Sequence, residues 1–221
     1  MLANIFLHYV LDLWFDKRVK PNANGQCYLV RYADDFVCMV QYHQSAREIE
    51  RMLRERFAKF GLTLHPEKTR TISFGRFERD NARRQGRKPN TFDFLGFTHY
   101  CGHSRKGKFL LGRKTSVKKF VKACKSMNDW LRQIRGVIRI KEIWAVLASK
   151  LRGHYNYYGV SGNWRMIANF GYVTIRAVMK WLNRRSQRKS DTWEAFKRLL
   201  SRIRCARPRI TESTRLHRVA C

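Results

Sequence analysis

Residues 28–40 read YLVRYADDFVCMV. Tyr28 to Tyr32 and Phe36 to Val40 are aromatic and β-branched, and the short polar tip Ala33-Asp34-Asp35 divides them. Two strand-forming runs around so brief a break read as a β-hairpin. The reversal then carries two adjacent carboxylates, which repel one another unless a cation offsets them. Mg²⁺ suits such a pair, because it accepts hard oxygen ligands and binds through one or two carboxylates while phosphate oxygens complete its shell. Phosphoryl transfer uses metal ions to activate the attacking oxygen and to steady the leaving group. A hairpin tip is also a rigid place from which to hold carboxylates out into a cleft. A lone Asp-Asp pair is more often a solvated turn. Here the apolar flanks and the basic chain around it favour the metal reading, so Asp34 and Asp35 are the candidate catalytic and Mg²⁺-ligating residues.

Before the hairpin, Leu2, Ile5, Phe6, Tyr9, Val10, Leu13 and Trp14 recur at helical steps and predict a helix over 2–15 with one apolar face. That helix begins at residue 1 with no cap, so structure upstream is expected. KPNANG at 20–25 is turn chemistry. After the hairpin, Ser45 with Glu48 three residues on reads as a capping box. Ile49, Met52, Leu53, Phe57 and Phe60 form the stripe behind it, and Gly61 stops it. Leu62–Leu64, Thr71–Phe74 and Phe92–Tyr100 have strand character, and the polar, basic stretch 78–90 reads as an exposed loop. Beyond about residue 115 the period turns helical. The stripes are Val117–Phe120–Val121–Cys124–Leu131–Ile134, Ile143–Trp144–Leu147–Leu151–Tyr155–Tyr158 and Ile167–Phe170–Val173–Ala177–Val178–Trp181–Leu182, with a short fourth from Trp193 to Ile203. Strand character first and helices afterwards indicate two units, with the boundary near Gly107 to Thr115. Arg202 to Cys221 reads as a weakly ordered basic tail.

Charge separates the same two parts. Lys and Arg number 47 against 16 Asp and Glu, a formal +31. Residues 1–60 hold 9 basic and 7 acidic residues, and residues 61–221 hold 38 and 9. A folded domain with so much like charge repels itself and is expected to work against a polyanion, nucleic acid first. No apolar run reaches the roughly 20 residues of a membrane span, and no basic segment precedes an apolar stretch as in a signal peptide. Membrane is therefore not an expected partner. The six cysteines form no C-x-x-C pair, so neither a zinc site nor a disulfide framework is indicated. An intracellular, cytoplasmic setting is expected.

Tyr32-Ala33-Asp34-Asp35 between two apolar strands resembles the catalytic hairpin of reverse transcriptases. LANIFLHYVLD at 2–12 resembles the helix before that hairpin in group II intron reverse transcriptases. LHPEKTR at 64–70 resembles their next motif, and FDFLGFTHYCG at 92–102 the one after. LRGHYNYYG at 151–159 and the Trp/Arg-rich helix from Asn163 to Lys189 resemble their maturase-specific domain, also called thumb or domain X. The motifs occur in the family's order from residue 2 to about residue 200. The resemblance implies an α+β chain in three parts. Residues 1–112 would be a partial right-hand polymerase palm, an antiparallel hairpin plus helices. Residues 113–200 would be an all-α thumb or maturase domain, and 201–221 a basic tail. It implies RNA-directed DNA synthesis with Mg²⁺, dNTP and a DNA target or primer as partners, and intron RNA binding with splicing assistance in a ribonucleoprotein. It also implies a third aspartate, on an earlier strand that these 221 residues do not include, so the chain alone is expected to have little or no polymerase activity.

The resemblance places Tyr32, Ala33, Lys68, Leu95 and Gly96 near nucleotide and primer. Lys68 would neutralise developing phosphate charge, or is one more exposed lysine. Leu95-Gly96 would bring backbone close to the primer end, or is a strand bulge. Arg152 and Tyr157 combine a cation with a ring on which an RNA base can stack, whereas Tyr155 and Tyr158 fit the core stripe. Arg184, Arg185, Arg188 and Lys189 follow the Trp181 helix and are candidates for RNA backbone contact. Two alternatives stand beside the polymerase fragment: a non-enzymatic RNA-binding splicing cofactor, and a decayed reading frame.

Overall fold

The apolar runs on either side of Ala33-Asp34 pair as antiparallel strands, β1 (Cys27–Tyr32) and β2 (Asp35–Val40), in the computed structural model of the chain. It describes residues 2–185, 191–203 and 205–212. Two compact units divide between Glu78 and Arg79.

In the first unit the chain is helical from residue 2, but not as one regular helix. A short α1 (Leu2–Leu7) runs into a π-helical turn at His8–Asp12, a second at Phe15–Val19 and a 3₁₀ turn at Lys20–Asn22. Leu13 N–H donates to the His8 carbonyl and Lys20 N–H to that of Phe15, five residues back each time. Each such closure takes in an extra residue and rotates the buried side. The expected stripe is therefore corrected. Val10, Leu11, Phe15 and Val19 are buried, while Leu2 (83% exposed), Ile5 (50%), Phe6 (43%) and Tyr9 (63%) are not.

The inner face of the hairpin, Cys27, Leu29, Cys38 and Val40, packs with Phe15, Val19 and Ile49, and Phe36 packs with Val10, Leu11, Leu53 and Phe57. α2 (His43–Lys59) supplies the Ile49–Leu53–Phe57 stripe as expected, with Phe60 left mostly exposed. Its N-cap is Tyr42, so the Ser45 capping box is not formed. Ser45 lies inside the first turn, and its hydroxyl donates to the Asn24 carbonyl at 3.4 Å. Residues 62–64 and 71–74 are not strands. Leu62 and Leu64 pack against the Leu53–Phe57 cluster without joining a sheet.

The expected loop over 78–90 contains a short helix, α3 (Glu78–Arg84), which begins at the last residue of the first unit, with Ala82 fully buried. The expected strand over 92–100 is two strands, β3 (Thr91–Phe94) and β4 (Phe97–His103). An unforeseen β5 (Phe109–Thr115) completes an antiparallel β3-β4-β5 sheet. Helices α4 (Val117–Ile134), α5 (Ile140–Tyr158), α6 (Trp164–Asn183) and α7 (Trp193–Arg202) follow. Their core holds Met127, Leu131, Ile143, Leu147, Leu151, Tyr155, Ile167, Phe170, Val178, Trp181 and Phe196. α4 and α5 both pack on α6. In the predicted stripes only Val117, Val121, Val173 and Leu199 face outward.

The expected boundary at 112/113 falls inside β5, and side chains tie that strand to the helices. Asn163, fully buried at the head of α6, accepts from the Thr115 N–H at 2.9 Å. Its amide nitrogen donates to the Thr115 hydroxyl and the Tyr158 carbonyl, both at 2.8 Å. The described part of the expected tail is also placed. Thr211 and Glu212 N–H donate to the Gly159 carbonyl, and Glu212 bridges Arg113 at 2.5 Å and the Ser161 N–H at 2.8 Å. Residues 213–221 lie outside the described residues.

Candidate active site at the hairpin turn

The register pairs Tyr32 with Asp35, leaving Ala33 and Asp34 as a two-residue turn. Asp35 therefore belongs to β2 rather than to the tip, and cross-strand pairing puts it on the outer face with Tyr32, Val30 and Val37. Ala33 has φ 55°, a left-handed conformation uncommon for a residue with a side chain. Tyr32, Ala33, Asp34 and Asp35 are all exposed. Among the described residues neither Asp34 nor Asp35 is in an ion pair, although the chain is rich in arginine.

Arg31, next to the turn, points to the inner face instead. Its Nε and Nη2 donate to the two carboxylate oxygens of Asp12 at 2.8 and 2.6 Å, and its Nη1 donates to the Ala33 carbonyl at 2.8 Å and to Asn4 Oδ1 at 3.3 Å. His8 Nδ1 lies 3.4 Å from the same Asp12. The hydrogen bonds from Arg31, with its charge, hold the Asp12 carboxyl below the usual carboxylate range. Composition could not find this pair: Asp12 and Arg31 are 19 residues apart, and only packing of the first helical segment on β1 unites them.

Lys68 is exposed in the turn at 66–68, its N–H bonded to the His65 carbonyl. In the other unit, Leu95 (φ 49°) and Gly96 (φ 78°) form the two-residue β3–β4 turn. Positive φ at both central positions is the geometry that twists with a hairpin, so the strand bulge does not form. Tyr157 Oη donates to the Leu95 carbonyl at 3.0 Å, its ring stacks on Phe97 at 5.9 Å, and the Ser116 N–H donates to the Gly96 carbonyl. The Leu95-Gly96 turn and Tyr157 thus meet, with Tyr157 still 56% exposed. Arg152 is exposed on α5. Arg184 sits over the Trp181 ring at 5.4 Å, while Arg185 donates to the Ile138 carbonyl at 2.9 Å and so has a structural task. Arg188 and Lys189 lie outside the described residues.

Asp34 and Asp35 can supply two hard oxygen ligands, which fits a Mg²⁺ ion that keeps water or phosphate in its remaining positions. Among the described residues no group of three or more His, Cys, Asp or Glu side chains could hold a metal. No helix among them is long and apolar enough to cross a membrane.

Residues 1–99 match the family model of reverse transcriptase (RNA-dependent DNA polymerase). The match takes in the helical segment, the Asp34–Asp35 hairpin, α2, α3 and β3, and ends within β4. This part of the chain is therefore similar to reverse transcriptase, and residues 100–221 lie outside the match. No curated protein matches the chain.

Proposed function

We propose that the chain carries the catalytic hairpin and the maturase part of a group II intron-type reverse transcriptase. Asp34 and Asp35 hold Mg²⁺ for nucleotidyl transfer, and the basic helical part, read as thumb or domain X, binds intron RNA. The observation that carries the reading is two exposed carboxylates, Asp34 in the two-residue hairpin turn and Asp35 at the start of β2, neither in an ion pair among the described residues, inside the stretch matched to reverse transcriptase. Bound there, the ion would supply charge neutralisation and Lewis acidity for the reacting phosphate oxygens. The chain's own part is to present two carboxylates without local arginines competing for them, and to offer Lys68 as a further cation.

The Leu95-Gly96 turn, braced by Tyr157, is the proposed primer contact, with backbone rather than side chain facing the nucleic acid. Arg152, the Tyr157 ring, Arg184, Arg188 and Lys189 are the proposed RNA contacts. Arg185 contributes to RNA binding only so far as it can leave the Ile138 carbonyl. The proposed setting is an intracellular ribonucleoprotein.

Titration with Mn²⁺ as a probe tests the metal reading. Asp34→Ala and Asp35→Ala are each expected to remove binding seen in the parent chain. Asp34→Ala should also abolish templated synthesis in an assay supplemented with the upstream half, and leave RNA affinity unchanged. Primer extension by the 221-residue chain alone is expected at background, and robust synthesis would show that the pair needs no third carboxylate.

The non-enzymatic reading, an RNA-binding splicing cofactor, draws support from the 38 basic against 9 acidic residues over 61–221. It expects RNA binding together with no Mn²⁺ binding at Asp34 and Asp35.

A further inference from the structure

Arg31 is the one side chain that bonds both the helical segment and the hairpin turn among the described residues. Three of its nitrogens are engaged: two on Asp12 and one on the carbonyl of Ala33, the residue directly before Asp34. Its side chain is only 14% exposed. Asp12 closes the first π-helical turn, and His8 and Asn4 of the same segment complete the cluster. Ala33 holds a left-handed backbone that a residue with a Cβ avoids unless something retains it, and the guanidinium bond to its carbonyl is such a restraint.

We propose that Arg31 and Asp12 are positioning residues, a strut that fixes the Ala33-Asp34 turn and so sets where Asp34 and Asp35 present their carboxylates. The inference rests on the metal-holding reading of those two aspartates. The requirement on residue type is specific. A guanidinium can span two carboxylate oxygens and still direct a third donor at a carbonyl, because its nitrogens lie in one rigid plane. A lysine at 31 would keep the charge beside Asp12 but has a single nitrogen for all three acceptors. Asp16 and Lys20, an exposed pair 3.2 Å apart on the same segment, serve as a control that touches nothing at the turn.

The test uses the 221-residue chain with Arg31→Lys, Asp12→Asn and Asp16→Asn. Two quantities are read: Mn²⁺ affinity, and amide hydrogen exchange at Asp34 and Asp35 relative to Cys27–Leu29 at the far end of β1. Arg31→Lys is expected to weaken Mn²⁺ binding about tenfold, the equivalent of one charge-assisted hydrogen bond. It should also speed exchange at the turn and not at the far end. Asp12→Asn should move both readouts the same way by less, and Asp16→Asn should move neither. If Arg31→Lys fails to fold, Asp12→Asn carries the comparison. Parent-like Mn²⁺ affinity and parent-like turn exchange in a folded variant would overturn the strut. If the parent chain binds no Mn²⁺ at Asp34 and Asp35, the metal reading fails by itself. Turn exchange then decides the strut alone: faster exchange in Arg31→Lys upholds it, and unchanged exchange rejects it.

Discussion

His154 lies in α5 with its ring stacked on Phe170 at 3.7 Å, and its buried Nε2 has no hydrogen-bond partner among the described residues. Burial lowers its pKa to about 4. The folded chain therefore binds this proton less readily than the unfolded chain, whose histidine titrates near 6.5. The stabilisation is complete above that value and is lost as the pH falls towards 4. His154→Phe keeps a ring against Phe170 and removes the titration. In thermal melts between about pH 7 and 4.5 the variant should lose less stability than the parent, and equal acid limbs would exclude His154 as their source. Asp12 follows the same sign lower on the scale. Its carboxyl is held down by Arg31, so the strut is intact above the ordinary carboxylate value and weakens as the pH falls below about 4.

Among the elements, β5 and its attachment show best what the residues could not announce alone. Asn163 satisfies three polar groups at the junction of β5, α5 and α6 while fully buried. Asn163→Ala would leave the Thr115 N–H without its acceptor and take from the Tyr158 carbonyl one of its two donors, the Val160 N–H remaining, and should cost on the order of 2 kcal/mol in urea denaturation. A loss under about 0.5 kcal/mol, the range of an ordinary surface change, would mean that water replaces the amide. Gly112 faces Tyr100 across the β4–β5 ladder, and a Cβ there would meet the ring at distances no side chain tolerates. The ring needs the bare backbone, so a glycine that weakens a strand by propensity is required by packing. The 62–64 segment makes the converse point. Its alternation correctly reports Leu62 and Leu64 as packed against the core, but alternation records which side is buried and not whether a neighbour pairs.

For the whole molecule, the dominant quantity is charge. Outside the first 60 residues the excess of Lys and Arg over Asp and Glu is 38 − 9 = 29, and many of these side chains are exposed on helices that carry their own core. RNA binding by the proposed interface should fall steeply with salt. Replacing both Arg152 and Arg184 by Ala should lower the slope of log K against log salt by about one for each phosphate no longer neutralised, with folding unchanged. Arg185 is the poorer probe because its guanidinium holds the Ile138 carbonyl. An unaltered slope in the double variant would move the interface elsewhere on the helical part.

The residues alone settle what is local and compositional. This includes the antiparallel hairpin around two aspartates, the α2, α5 and α6 core stripes and the placement of positive charge, because each follows from neighbours a few residues apart. Three-dimensional packing settles the rest. The π turns move the buried side of the first helical segment to Val10, Leu11, Phe15 and Val19, and β5 extends the sheet through the boundary expected at 112/113. Residues 205–212 return to Gly159 and Arg113. Asp12 reaches Arg31, and Tyr157 reaches Leu95. These pairings join residues 19 to 99 positions apart, and no local preference encodes a partner at that distance. Only burying apolar surface while pairing most of the buried donors and acceptors selects it.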